Sequence, residues 1–209
     1  MRPSSREMAS SQITDAKILG GIGSILMILL PVPYAGPALY IAGLVLVIIA
    51  VRRIASALGD QRIFNDALVS VILLIVGLAA GVAIVLLTGL PSIIQLLSMF
   101  SMNGGTFGDL AQGEVFQLIT AVLGSILVGL LVLWGFSIAS SIYLRKSFNA
   151  IGVRLRSSLF PTVGILYIVG AVLAIILIGF IIWLVALILQ IIAFFTLPTE
   201  PPQPESVGP

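Results

Sequence analysis

Paired carboxylates at a membrane surface would be the starting point for an intramembrane enzyme, and Asp60 with Asp66 is the pair to weigh. Both sit in a charged connector, where solvating a polar segment is the plainer role. The chain contains neither Cys nor His. That removes zinc sites of the usual kind, disulfides, Cys or His nucleophiles and His-ligated haem. The cluster Gly20-Gly21-Ile22-Gly23-Ser24 misses the G-x-G-x-x-G spacing of a dinucleotide loop. The stretch Asn103 to Asp109 is Gly-rich, but no Lys-Ser or Lys-Thr follows to complete a phosphate loop. We therefore expect no enzyme, no cofactor and no metal.

Polar side chains inside apolar runs are the next group. Gln117, Thr120, Ser125, Ser137, Ser140, Ser141 and Gln190 could line a pore or hydrogen-bond a neighbouring helix, with Gln117 and Gln190 the leading intramembrane candidates. Helix bonding is the preferred role. Small residues recur at a spacing of four: Gly77 with Gly81, Ala121 with Ser125 and Gly129, and Gly170 with Ala174. Such spacing lets helix backbones approach closely in lipid, within one chain or between chains. The basic segment Arg145, Lys146, Arg154 and Arg156 could hold anionic lipid headgroups, although control of topology accounts for it more simply.

These groups must be positioned by elements that live in a membrane. Of 209 residues 59% are hydrophobic and 9% charged, against roughly 25% charged in ordinary globular domains. The charges leave uncharged runs at 18–51, 67–108, 115–144 and 157–199, each long enough to cross a bilayer at least once. Pro31, Pro33 and Pro37 break the first run into a hairpin of two short helices. A third span is expected from Ala67 to Leu90, closed by Pro91, with a short interfacial helix in the 91–114 loop. A fourth follows from about Phe116 to Leu144. One helix through Leu159 to Leu197 would be about 58 Å long, so two helices turning near Gly179 are expected. The fold class is thus an all-α integral membrane protein with about six transmembrane helices, five being the alternative.

All ten Lys and Arg residues fall in segments on one side of this arrangement, which puts both termini in the cytoplasm. A five-span chain would put the tail outside. The organisation reads as a polar cytoplasmic N-terminus (1–16), a single polytopic membrane domain (17–197) and a Pro-rich disordered tail (198–209). The first 30 residues have the outline of a signal peptide, but no clean cleavage site follows and we expect none to be cut. An offset of 143 residues aligns Gly21 with Gly164, Gly36 with Gly179 and Ile48-Ile49-Ala50 with Ile191-Ile192-Ala193, a candidate duplication of one hairpin.

The segments KILGGIGSILMILLPVPYAGPALYIAGLVLVIIAVRRIA (17–55), IFND (63–66), TVGILYIVGAVLAIILIG (162–179) and QIIAFFTLP (190–198) carry a resemblance. Over roughly residues 17–198 the chain resembles the uncharacterised, largely archaeal multi-pass membrane proteins grouped as domain of unknown function nine-nine-six. The resemblance implies a membrane protein with no established activity or catalytic residues to carry over.

The functional expectation is an integral membrane protein of the cell membrane acting as a non-enzymatic accessory or scaffold component. Its partners would be the lipid bilayer and either another membrane protein or further copies of itself, with no nucleic acid. The alternative is a small-solute or ion channel or transporter without charged coupling residues in its spans.

Overall fold

A computed structural model describes residues 5–102 and 112–198, so the loop at Asn103 to Asp109 and nearly all of the Pro-rich tail lie outside the described residues. Among the described residues seven α-helices follow one another: α1 Ser5–Ile28, α2 Gly36–Leu58, α3 Gln61–Ile84, α4 Leu90–Met102, α5 Gln112–Arg154, α6 Leu159–Leu173 and α7 Ile178–Phe195. Among the described residues five stretches are long and apolar enough to span: Gly36–Leu58, Gln61–Ser101, Val115–Arg154, Leu159–Ile176 and Ile178–Phe195. The chain divides into two compact units, Met1–Val71 with Ile138–Pro209, and Ile72–Ser137.

In the first unit the Pro-rich segment forms the expected turn between α1 and α2, with Tyr34 in the left-handed region at φ 62°. Both helices are longer than the apolar arms alone, because α1 begins at Ser5 and α2 runs on through Arg52 and Arg53 to Leu58. They lie antiparallel, Asp15 meeting Arg53 at 2.5 Å and Gly23 facing Gly43. A Cβ on Gly23 would come within 2.7 Å of the Gly43 carbonyl oxygen, so only glycine permits this approach.

α2 stops at Gly59, left-handed at φ 65°, whose N–H donates to Ser56 O while the N–H of Asp60 donates to Ala55 O. This pair of bonds satisfies carbonyls that a helix end otherwise leaves without donors. Asp60 then opens α3, its Oδ1 accepting from Arg62 N at 3.1 Å. Further along, the Ser140 hydroxyl donates to Ser70 O at 2.8 Å and the Ser147 hydroxyl to Ile63 O at 2.7 Å, tying α5 to α3.

The last apolar run divides as expected, but the turn is carried by Leu177 at φ 63°, two residues before Gly179. Gly179 has a different task. A Cβ there would collide with Gly170 O and the backbone of Ala174, so its absence lets α7 fold back on α6. The core of this unit is a set of edge-to-face rings: Phe148 on Phe160 (5.6 Å), Phe160 on Phe194 (5.3 Å) and Tyr167 on Trp183 (6.3 Å).

The second unit holds the far part of α3, α4 and the first part of α5. Pro91 does not end the helix here. A π turn over Val85–Gly89 joins α3 to α4 directly. The wider turn accommodates the Pro91 ring, which in a regular α-helix would strike the carbonyl four residues back. α5 likewise runs ten residues beyond the expected end at Leu144.

Candidate functional site

Gly20 and Gly21 set up the principal polar feature. A Cβ at Gly20 would overlap the Phe194 ring and one at Gly21 the Phe195 ring, so the two glycines let α7 lie close against α1. The helices run antiparallel at this contact, and one turn further along α1 Ser24 therefore meets Gln190, one turn back from Phe194. Gln190 Nε2 donates to Ser24 Oγ at 2.8 Å, and Ser24 Oγ donates to Gly20 O at 2.7 Å. From α6 the Tyr167 hydroxyl donates to Gln190 Oε1 at 2.7 Å.

All three side chains are buried: Ser24 is 0% exposed, Gln190 1% and Tyr167 5%. Among the described residues no buried side-chain nitrogen or oxygen lacks a hydrogen-bond partner. The Ser24 hydroxyl is committed to a backbone carbonyl with no base beside it, so nothing activates it as a nucleophile. What the arrangement can do is fix the register of three helices in a medium that offers no water to substitute for a broken bond.

Gln117, the other leading polar candidate, is exposed on α5 in the second unit and takes no part in these hydrogen bonds. Among the small residues, Gly77 lies against Phe136, and Gly81 and Gly129 face each other, each carbonyl oxygen 2.8 Å from where the other's Cβ would be. Ser125 is buried beside Gly89 with its hydroxyl donating to Val122 O, while Ala121 is exposed. Gly170 and Ala174 form the surface onto which Gly179 closes.

The basic residues are dispersed. Arg154 Nη2 pairs with Asp60 Oδ2 at 3.0 Å, which also occupies one of the two carboxylates weighed for catalysis. Lys146 Nζ stands 4.7 Å above the Tyr143 ring, and the backbone of Arg145 packs against Gly164. Arg156 sits at φ 51° just beyond α5. Two cavities accompany these features. An open one of about 310 Å³ is lined by Gln12, Ile49, Arg52, Arg53 and Ser56. A smaller one, about 150 Å³, lies where the ends of α1, α2, α6 and α7 meet, and neither is lined by Gln117 or Gln190.

Sequence reasoning picked out Gln190 but missed both its partners. Ser24 was embedded in a glycine cluster, and Tyr167 was one aromatic among many.

Helices of this length and apolarity, with buried polar groups bonded to one another and charges gathered at helix ends, define an all-α multi-pass integral membrane protein. Comparison with known sequences gives the particular family. The chain belongs to the family described as protein of unknown function DUF996, whose model matches residues 39–188. It is also 31% identical over 199 residues to an uncharacterized protein of Methanocaldococcus jannaschii, covering 92% of this chain and 97% of the relative. No solved structure matches the chain.

Proposed function

We propose that this protein is a non-enzymatic accessory or scaffold component of the cell membrane, working through its helix surfaces. One observation carries the reading. In the second unit, Ile72 to Met102 is an uncharged helical stretch of 31 residues, about 46 Å long against roughly 30 Å of hydrocarbon. It pairs with α5 along a single seam at Gly77, Gly81 and Gly89. Its other faces expose Leu78, Val82, Leu87, Ile94 and Leu97. Apolar surface that outruns the hydrocarbon calls for cover by protein, and another membrane protein is the partner this reading assigns.

The first hairpin supports the arrangement in the membrane that this reading takes. α1 falls outside the five apolar stretches, carrying Asp15 and Lys17, yet its Asp15 end lies beside Arg53 of α2. A bilayer crossed by α2 is therefore crossed by α1 as well, which favours six spans with both termini in the cytoplasm. The channel reading has no comparable support, since the hydrogen bonds of Gln190 go to Tyr167 and Ser24.

The experiment is purification of the full chain in mild detergent at native expression, followed by mass spectrometry of the intact assembly. A stoichiometric second protein is the expected result. A chain recovered alone or only as copies of itself overturns the partner assignment, and liposome flux with Gln190 and Gln117 substitutions then becomes the deciding assay.

A further inference from the structure

The cavity of about 150 Å³ at the turn end of the two hairpins has walls from Met27 on α1, Tyr40 on α2, Tyr167 on α6, and Trp183 and Leu187 on α7. Its rim is made by Leu30, Phe180 and Leu184, all exposed among residues of the membrane-facing surface. What reaches this rim is therefore lipid, at the boundary between headgroups and hydrocarbon. Water is a poor occupant. The volume equals about five water molecules at roughly 30 Å³ each, and a buried water needs two to four polar partners. The cavity offers few polar groups, and the Tyr167 hydroxyl is already engaged with Gln190.

Two donors nevertheless remain. No described residue accepts a hydrogen bond from the Tyr40 hydroxyl or from the Trp183 indole N–H. Their depth is informative. Tyr40 lies four residues inside the start of α2 and Trp183 five residues inside the start of α7, about 6 and 7.5 Å along their helices. That is the level at which amphipathic aromatic side chains bridge the hydrocarbon and the polar headgroup region. Below them the cavity continues onto Met27 and Leu187, which are apolar and buried.

We propose that this cavity is a binding site for one membrane lipid, whose hydrocarbon chain lies against Met27, Tyr167 and Leu187 while a linkage oxygen near its headgroup accepts a hydrogen bond from Tyr40. The wall is rigid because the Tyr167 ring is held through its hydroxyl by Gln190, which is itself bonded to Ser24. Lipid bound here bridges the α1–α2 hairpin and the α6–α7 hairpin. This site belongs to the first unit, whereas the partner surface assigned above belongs to the second.

Trp183 provides the readout, as the chain has only one other Trp, Trp134. The full chain carrying Trp134→Phe is titrated in detergent with a phosphatidylcholine brominated along its chains, a quencher of indole fluorescence. Quenching should saturate at close to one lipid per chain. Tyr40→Phe should raise the half-saturating concentration about three- to tenfold, the effect of one hydrogen bond, while dibromododecane, which has no oxygen, should bind both forms alike. Met27→Phe fills the cavity and should abolish saturation with helicity by circular dichroism unchanged. Should that variant unfold, the Tyr40→Phe comparison decides alone. Quenching that rises without saturating, or an unchanged half-saturation in Tyr40→Phe, overturns the proposal.

Discussion

At the residue scale, replacing Gln190 by Leu nearly preserves side-chain volume while removing both hydrogen-bonding ends, leaving the Tyr167 hydroxyl without its acceptor. Hydrogen bonds between membrane helices contribute about 0.6 kcal/mol on average and up to about 1.7. Gln190→Leu breaks two such bonds and Tyr167→Phe breaks one, so the first should cost more, roughly 1–2 kcal/mol of resistance to unfolding in sodium dodecyl sulfate. A double-mutant cycle between the two should show a coupling of about 0.6–1.7 kcal/mol; a coupling of zero would mean that the bond adds nothing to stability. Gln190 was legible in the sequence because an amide in an uncharged run of 43 residues (157–199) must find a partner. Its partner Ser24 was not, being 166 residues away and reached only when α7 lies against Gly20 and Gly21.

Helices differ in which signal fixed their ends. Pro31 to Pro37 announced the first turn because proline removes donors whatever the surroundings. Leu177 announced nothing: a left-handed leucine is chosen by the packing of Gly179 onto Gly170 and Ala174, a tertiary cause with no local pattern. Pro91 misled, because the π turn over Val85–Gly89 absorbs its ring. Substituting Pro91→Ala restores an N–H and removes the need for that turn, so amide exchange across Val85 to Leu90 should slow; exchange that stays fast would place the cause of the π turn elsewhere. The glycine contacts give a second test at this scale. Gly43→Val drives a side chain into the Gly23 carbonyl and Met27 and should cost about 1–3 kcal/mol, the usual range for overpacking. Gly124→Ala meets nothing within 4 Å and should instead stabilise α5 by about 0.5–1 kcal/mol. Equal effects at the two positions would show that the α1–α2 approach is looser than this geometry requires.

For the molecule as a whole, the sequence left the number of crossings open because a count by composition treats each helix alone. α1 carries Asp15 and Lys17 and fails such a count, although the Arg53 that pairs with Asp15 belongs to a helix that passes it. Pairing thus converts a question about one helix into one about a hairpin. A hairpin crosses as two helices or re-enters as none, so either way the proposed arrangement puts the end of α7 on the side of the start of α1. The proposal that this side is the cytoplasm rests on the placement of every Lys and Arg in the segments at that end. A chain without Cys is ready for the test. Single cysteines at Ser11, Gly113 and Thr196 should behave differently towards a membrane-impermeant maleimide applied to intact cells. Gly113→Cys should label at once, whereas Ser11→Cys and Thr196→Cys should label only after permeabilisation. Labelling of Thr196→Cys in intact cells, with Ser11→Cys still protected, would mean an odd number of crossings. In that event α1 and α2 could not traverse the bilayer as the antiparallel pair that Gly23 and Gly43 form, and the five-span arrangement would replace the six-span one.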